Sequence, residues 1–304
     1  MLRPLFYFFL FYLLSIKSIY VHADQQQVIS NEPQAFMWRV KNGYSTLYLV
    51  GSIHALHEKY YPLASAYQAA FEASHKLVVE LNIDAIDPTY MQALLRQKMW
   101  LPEGHTLENY LNQSELSLLE KYSVQINTPY KTLIKMRPWI VTEMLTVLQL
   151  RQANFDPQKG VDRHFLSLAK ENNMPILELE TAEEQITALA DSPFDSQIGA
   201  LSLTIQQLND TSYLPKLVAL WEQGNHEALY KLVYQGINEE ERTRIQPMMK
   251  RLLSDRNVKM TDVLSIYLAT RHTYFVVVGA LHLSGPDSIL KLLEQKGYQV
   301  EQIK

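Results

Sequence analysis

The sequence predicts one mixed α/β domain: a central sheet drawn from strands near both ends of the chain, carrying a large helical insertion. Three observations lead there. Short apolar runs with strand character sit at 36–50 and at 274–303, and only two others, Leu77-Val-Val-Glu80 and Pro175-Ile-Leu-Glu-Leu179, lie between them. The interval from about 193 to 270 has few strand signals and reads as helix. The 304 residues, 47% apolar and 20% charged, have ordinary globular composition, enough for one large domain or two small ones, and no extended internal repeat divides them.

Taken in order, the chain opens with Arg3, an apolar run from Leu5 to Ile16 and Val21-His-Ala23, the pattern of a secretory signal over residues 1–23, cut after Ala23. Lys17 ends the run well short of the roughly 20 apolar residues that span a bilayer as a helix, so no stable membrane insertion is expected beyond that segment. The expected location is outside the cytoplasm, periplasmic or extracellular. Residues 24–35 are polar and read as a flexible lead-in, and 36–304 as the single domain. Asn42-Gly43 marks the turn of a hairpin formed by 36–40 and 46–50. Strands follow at 77–80, 175–179, 274–278 and 298–303, with helices at 62–74, 114–123, 138–151, 161–171 and 182–190 before the long helical run. Thr181-Ala-Glu-Glu184 fits a capping box, which explains Glu184 as a helix cap rather than a catalytic group.

Composition removes several chemistries. There are no cysteines, hence no thiolate nucleophile, disulfide framework or Cys-ligated metal. The net charge of -4, from 32 acidic and 28 basic residues spread along the chain without a basic cluster, argues against nucleic acid as a partner. No Gly-x-Ser-x-Gly elbow, His-Glu-x-x-His helix, Walker loop or Gly-x-Gly-x-x-Gly is present.

What remains is a tetrad that occurs twice, each time at the end of an apolar run: Leu47-Tyr-Leu-Val-Gly-Ser-Ile-His54 and Phe275-Val-Val-Val-Gly-Ala-Leu-His282. Ten Gly and nine His in a chain of this length would give about 0.3 such tetrads by chance, so the pair points to a shared task. A glycine at a strand end permits a sharp turn or a close backbone approach, and the following His then stands at the sheet rim. Ligands of open α/β sheets lie beyond the carboxyl ends of the strands, where two such imidazoles would suit a divalent metal or an acid/base pair. The alternative is that each Gly is a turn and each His a satisfied polar residue.

Glu80, ending an apolar strand, calls for a metal, a charged partner or a raised pKa if buried, or else faces solvent. Glu178 and Glu180 end another strand on one face, and Glu180 is the better candidate, Glu178 a solvated or secondary group. Arg256 suits bidentate binding of a carboxylate, and Asn257 either orients a ligand or caps a helix. His57 is a secondary candidate. His75, His105, His164, His226 and His272 have no ligand-like spacing.

Several of these segments together resemble the TraB/GumN group, which includes the TIKI-type metalloproteases and is distantly similar to erythromycin esterase (EreA) and ChaN-like proteins. The resemblance is carried by Tyr48-Leu-Val-Gly-Ser-Ile-His54, Tyr61-Pro-Leu63, Leu77-Val-Val-Glu80, Leu101-Pro-Glu-Gly104, Arg137-Pro-Trp139, Gly160-Val-Asp162, the Leu179–Gln185 segment, Arg256-Asn257, Val278-Gly-Ala-Leu-His282 and Gly285-Pro-Asp287. It implies an exported metal-dependent hydrolase with peptide or protein substrates, using Mn, Co or Zn. By the same motifs it implies His54, Glu80 and His282 as metal ligands, with Glu80 alternatively the proton acceptor. Glu180 would be a second carboxylate, base or ligand, and Arg256 a substrate-binding or oxyanion-stabilising group. Pheromone-shutdown members suggest a second class, a peptide-binding protein without turnover, and ChaN-like analogy an iron- or heme-handling role. A homodimer is compatible with all of these.

Overall fold

The computed structural model describes residues 34–303, so the signal expected at 1–23 and residues 24–33 of the lead-in lie outside the described residues. From its first described residue the chain is tied down: the Gln34 amide donates to Glu222 O, and Ala35 is buried.

Each strand segment read from the sequence is a strand, and all join one sheet. They are β1 (Met37–Asn42), β2 (Ser45–Ser52), β3 (Lys76–Val79), β4 (Ile176–Glu178), β5 (Thr273–Gly279) and β6 (Gln299–Ile303), ordered β4-β3-β5-β2-β1-β6. β4, β3, β5 and β2 run parallel; β1 is antiparallel to both β2 and β6. The sheet is therefore mixed, as the sequence predicts. β3 and β5 are apolar runs rather than alternating ones because a parallel centre is covered on both faces. Along β5, Phe275 meets Phe71 and Phe165 from the helices Ser65–Glu72 and Val161–Glu171, while Tyr274 stacks on Tyr267 from the helix Ser254–Leu268.

The helical insertion has a core of its own. Trp139, Tyr122, Leu133 and Ile205 are fully buried in a cluster separate from the one around the sheet. The two cores meet along the helix Glu239–Leu252 and its end: Met248 and Leu252 belong to the insertion, Met249 and Leu253 to the sheet. Adjacent residues of a helix point to different sides, so one helix can serve both cores. Within the insertion, Glu143 on the helix Pro138–Gln152 is fully buried, and neither of its carboxylate oxygens has a hydrogen-bond partner among the described residues. Burial raises its carboxyl well above the usual range.

Three helices lie outside the sequence reading: Pro88–Lys98, Tyr130–Leu133 and Ile289–Gln295. Pro88–Lys98 opens on Asp87, whose side chain accepts from the Thr89 amide, with Pro88 in the first turn; Ile289–Gln295 opens on Ser288. The helix expected at 62–74 begins at Ser65. The capping box at Thr181 forms with both reciprocal bonds. No helix among the described residues is long and apolar enough to cross a membrane.

Candidate functional site

Because β2, β3, β4 and β5 are parallel, their carboxyl ends share one edge of the sheet, and His54, Glu80, Glu180 and His282 emerge there. Ser52 of β2 lies opposite Gly279 of β5, so the two tetrads are offset by one residue, and Val79 of β3 lies opposite Val277. His54 follows β2, Glu80 follows β3, Glu180 follows β4, and His282 sits in the 3-10 turn Ala280–Leu283 after β5. Arg256 comes from the first turn of the helix Ser254–Leu268. The Glu180 amide donates to Glu80 O at 3.1 Å, which holds the two acidic residues side by side.

Each ring has a partner behind it. His54 Nδ1 lies 3.1 Å from Asp162 Oδ1, which also accepts from Ser52 Oγ at 2.8 Å. His282 Nδ1 lies 2.5 Å from Asn257 Oδ1, and Asn257 Nδ2 donates to Asp287 O at 2.7 Å, fixing that amide's orientation. A carboxylate and an amide oxygen only accept, so both Nδ1 atoms carry the proton, and in the neutral ring Nε2 is the lone-pair nitrogen. This is how metal-binding histidines are oriented by their neighbours.

The carboxylates are held by one cation. Glu80 Oε1 accepts from the Gly279 amide at 2.5 Å; its Oε2 accepts from Arg256 at 2.5 Å and lies 3.6 Å from His282 Nε2. Glu180 takes the Arg256 guanidinium in a two-pronged pair, through Nε at 2.9 Å and through a second, shorter bond, and Gln185 donates to it at 2.7 Å. The bidentate carboxylate partner of Arg256 is therefore the protein's own Glu180. Asn257 caps no helix; it orients His282. Glu178 is exposed and accepts from the Asn82 amide, and His57 accepts from Lys59 N in a surface turn.

Electrostatics set the two carboxylates apart. Burial opposes charge on Glu80, but His282 and Arg256, with His54 and the Gly279 amide, outweigh it and hold its carboxyl at about 2. Burial raises Glu180 above the usual carboxylate range despite Arg256. Burial also pushes His282 down to about 3, against the pull of Glu80. His54 is raised: burial opposes its charge, and Asp162 prevails. One ionised carboxylate, one that gains a proton more readily and one neutral imidazole form the divided set that acid/base chemistry uses.

Neither tetrad glycine has positive φ. Both are required for close approach instead. A Cβ on Gly279 would stand 2.9 Å from His54 Nε2, 3.3 Å from Glu80 Oε1 and 3.6 Å from His282 Cδ2, so these groups converge on a bare backbone floor. A Cβ on Gly51 would meet the Phe36 ring at 2.3 and 2.6 Å, a packing contact in the core. Two imidazoles and a carboxylate around one point, each ring oriented from behind, are the donors a divalent ion takes. Among the described residues no three His, Asp or Glu side chains stand as a complete coordination set, and Arg256 engages one Glu80 oxygen. Sequence reasoning gave no role to Asp162, Ser52 or Gln185, although all three lie in segments that carry the resemblance.

Fold and site together define a mixed α/β protein with a two-histidine, two-carboxylate and arginine centre at the carboxyl ends of its parallel strands. The chain belongs to the TraB/PrgY/gumN family, whose pattern matches residues 36–302. It is similar to the uncharacterized protein YbaP of Escherichia coli (strain K12), 25% identical over 251 residues, covering 81% of this chain and 87% of that protein. It is also similar to Metalloprotease TIKI2 of Danio rerio, 25% identical over 329 aligned positions, covering 90% of this chain and 62% of that protein. No solved structure matches it.

Proposed function

We propose that the protein is an exported, metal-dependent hydrolase of peptides. The observation that carries this reading is the convergence of His54, His282 and Glu80 on the Gly279 floor, with Asp162 and Asn257 setting the tautomers. These three residues would hold a divalent ion, Mn, Co or Zn, which when bound polarises a carbonyl and acidifies water. Glu80 stays ionised at neutral pH and brings the negative charge such an ion needs. Glu180, with its raised carboxyl, is the group suited to take up and return a proton. Arg256 keeps the two carboxylates in register and presents positive charge where negative charge develops on a substrate. The name of the TIKI2 relative, a metalloprotease, supports the reaction class, and the leader-like residues 1–23 support export.

A second reading, a peptide-binding protein without turnover, is favoured by one observation: Arg256 already neutralises both carboxylates. Incubating the purified protein with Mn, Co or Zn and a peptide library, read by mass spectrometry, separates the two. Metal-stimulated cleavage that disappears in His54→Ala and His282→Ala supports the hydrolase. Cleavage surviving His54→Ala overturns the site assignment, and peptide binding without cleavage under every metal favours the second reading.

A further inference from the structure

A groove of about 660 Å³ runs from the site between the helices Ala182–Ala190, Glu239–Leu252 and Ser254–Leu268. That volume falls within the ~300–1,000 Å³ of small-ligand pockets. The Glu180–Arg256 pair lines it, Leu179, Met260 and Val263 give it an apolar side, and Arg251 stands on its wall.

Most charges lining the groove are already matched. Glu180 has Arg256, Glu184 has its cap and Lys259, and Asp255 has Lys250. Glu183 is exposed at the rim, and the Tyr90 hydroxyl donates to it. Arg251 differs. It is half-buried, makes one long bond of 3.4 Å to Thr187 O, and its Nε is cut off from solvent without an acceptor among the described residues. No carboxylate among the described residues forms an ion pair with it, whereas Arg256 in the same groove has two. A guanidinium offers five donors in a planar fork that matches a carboxylate, and a partly desolvated, unpaired one is costly to keep.

We propose that Arg251 is the anion subsite of this groove, so that the ligand is a peptide segment bearing a carboxylate beside an apolar side chain. The carboxylate is either the free C-terminus or an Asp or Glu side chain. The apolar side chain lies against Met260 and Val263. Which bond is cut rests on the hydrolase reading above; recognition of the anion does not.

The test is binding to the full chain, measured by fluorescence anisotropy with three labelled probes. The first is an Ala-Leu-Ala-Leu peptide with a free C-terminus, the second its C-terminal amide, and the third that amide with an internal Asp. At least one carboxylate probe is expected to bind about tenfold or more tightly than the plain amide, a gap comparable with a charge-assisted hydrogen bond. The first and third probes separate a terminal from a side-chain carboxylate. Arg251→Gln should erase the preference and Arg251→Lys keep part of it. Val263→Glu, which places an anion in the same groove without touching Arg251, should reverse it. Equal binding of all three probes, no binding of any carboxylate probe at millimolar concentration, or an unchanged preference in a folded Arg251→Gln variant overturns the proposal. Carboxylate-selective binding with no cleavage overturns only the hydrolase, while cleavage of the plain amide as fast as the carboxylate probes overturns only the subsite.

Discussion

Gly279→Ala tests whether the tetrad glycine shapes a site or merely a turn. At φ -53 and ψ 138 the backbone accepts alanine without strain. Losing glycine's freedom in the unfolded chain contributes about 0.4–1 kcal/mol of stability. Against this stands the added methyl, 2.9 Å from His54 Nε2 and 3.3 Å from Glu80 Oε1, an overpacking cost of about 1–3 kcal/mol. The net change in stability is therefore a loss of at most about 2.6 kcal/mol. The effect on the site is not small, because both groups must move by several tenths of an ångström from the point where they converge, and a misplacement approaching 1 Å costs about 100-fold in activity. Calorimetric titration with Mn, Co and Zn beside a thermal melt should show metal affinity or turnover falling by about 10- to 100-fold in a folded protein. Gly51→Ala is the matched control: its methyl would lie 2.3 Å from a fully buried Phe36 ring, so it should lower stability by about 1–3 kcal/mol or more. Its affinity per folded molecule should be unchanged. A Gly279→Ala protein that binds metal and turns over as the parent does would refute the reasoning.

Asp162→Ala removes the acceptor that orients His54, and metal affinity should drop about 10- to 100-fold by titration; an unchanged value would dissociate Asp162 from the site. Glu143→Gln should stabilise the protein at neutral pH by about 1–3 kcal/mol, since it replaces a buried, unpartnered acid. The sign follows from its raised folded pKa: its contribution is fully present below the unfolded value, about 4.3, and is lost as pH rises through the folded value. Thermal melts from pH 4 to 8 should show the variant's advantage growing with pH, and a parent that is the more stable at pH 7 would contradict this. Thr181→Ala, which breaks the capping box beside Glu180, should cost about 1 kcal/mol in denaturant unfolding.

The strands were legible because short, β-branched and aromatic runs between polar stretches have few other ways to be buried. Their order was not, since pairing β2 with β5 depends on contacts between distant parts of the chain. The helix Pro88–Lys98 carried its start signal in Asp87-Pro88, but its surface-rich composition blurs the periodicity that would confirm it. At the site, His54, Glu80, Glu180, Arg256 and His282 stood out because each ends an element or opens one. Asp162 did not stand out. An acidic residue in the first turn of Val161–Glu171 is already explained by the helix dipole, so nothing in its local setting reveals the imidazole it holds.

The insertion of β5 between β2 and β3 also has a meaning in time. Thr46 faces Thr273 and Lys76 faces Tyr274, so the centre of the sheet is closed by a strand synthesised long after its neighbours. β2 and β3 pair with β5 and not with each other, so the sheet's centre depends on non-local parallel pairing, which forms slowly. His54 and Glu80 follow β2 and β3, and Gly279 and His282 come with β5, the strand between them. Assembly of the candidate site is thereby tied to completion of the sheet, because two of its groups lie on segments far apart in the chain.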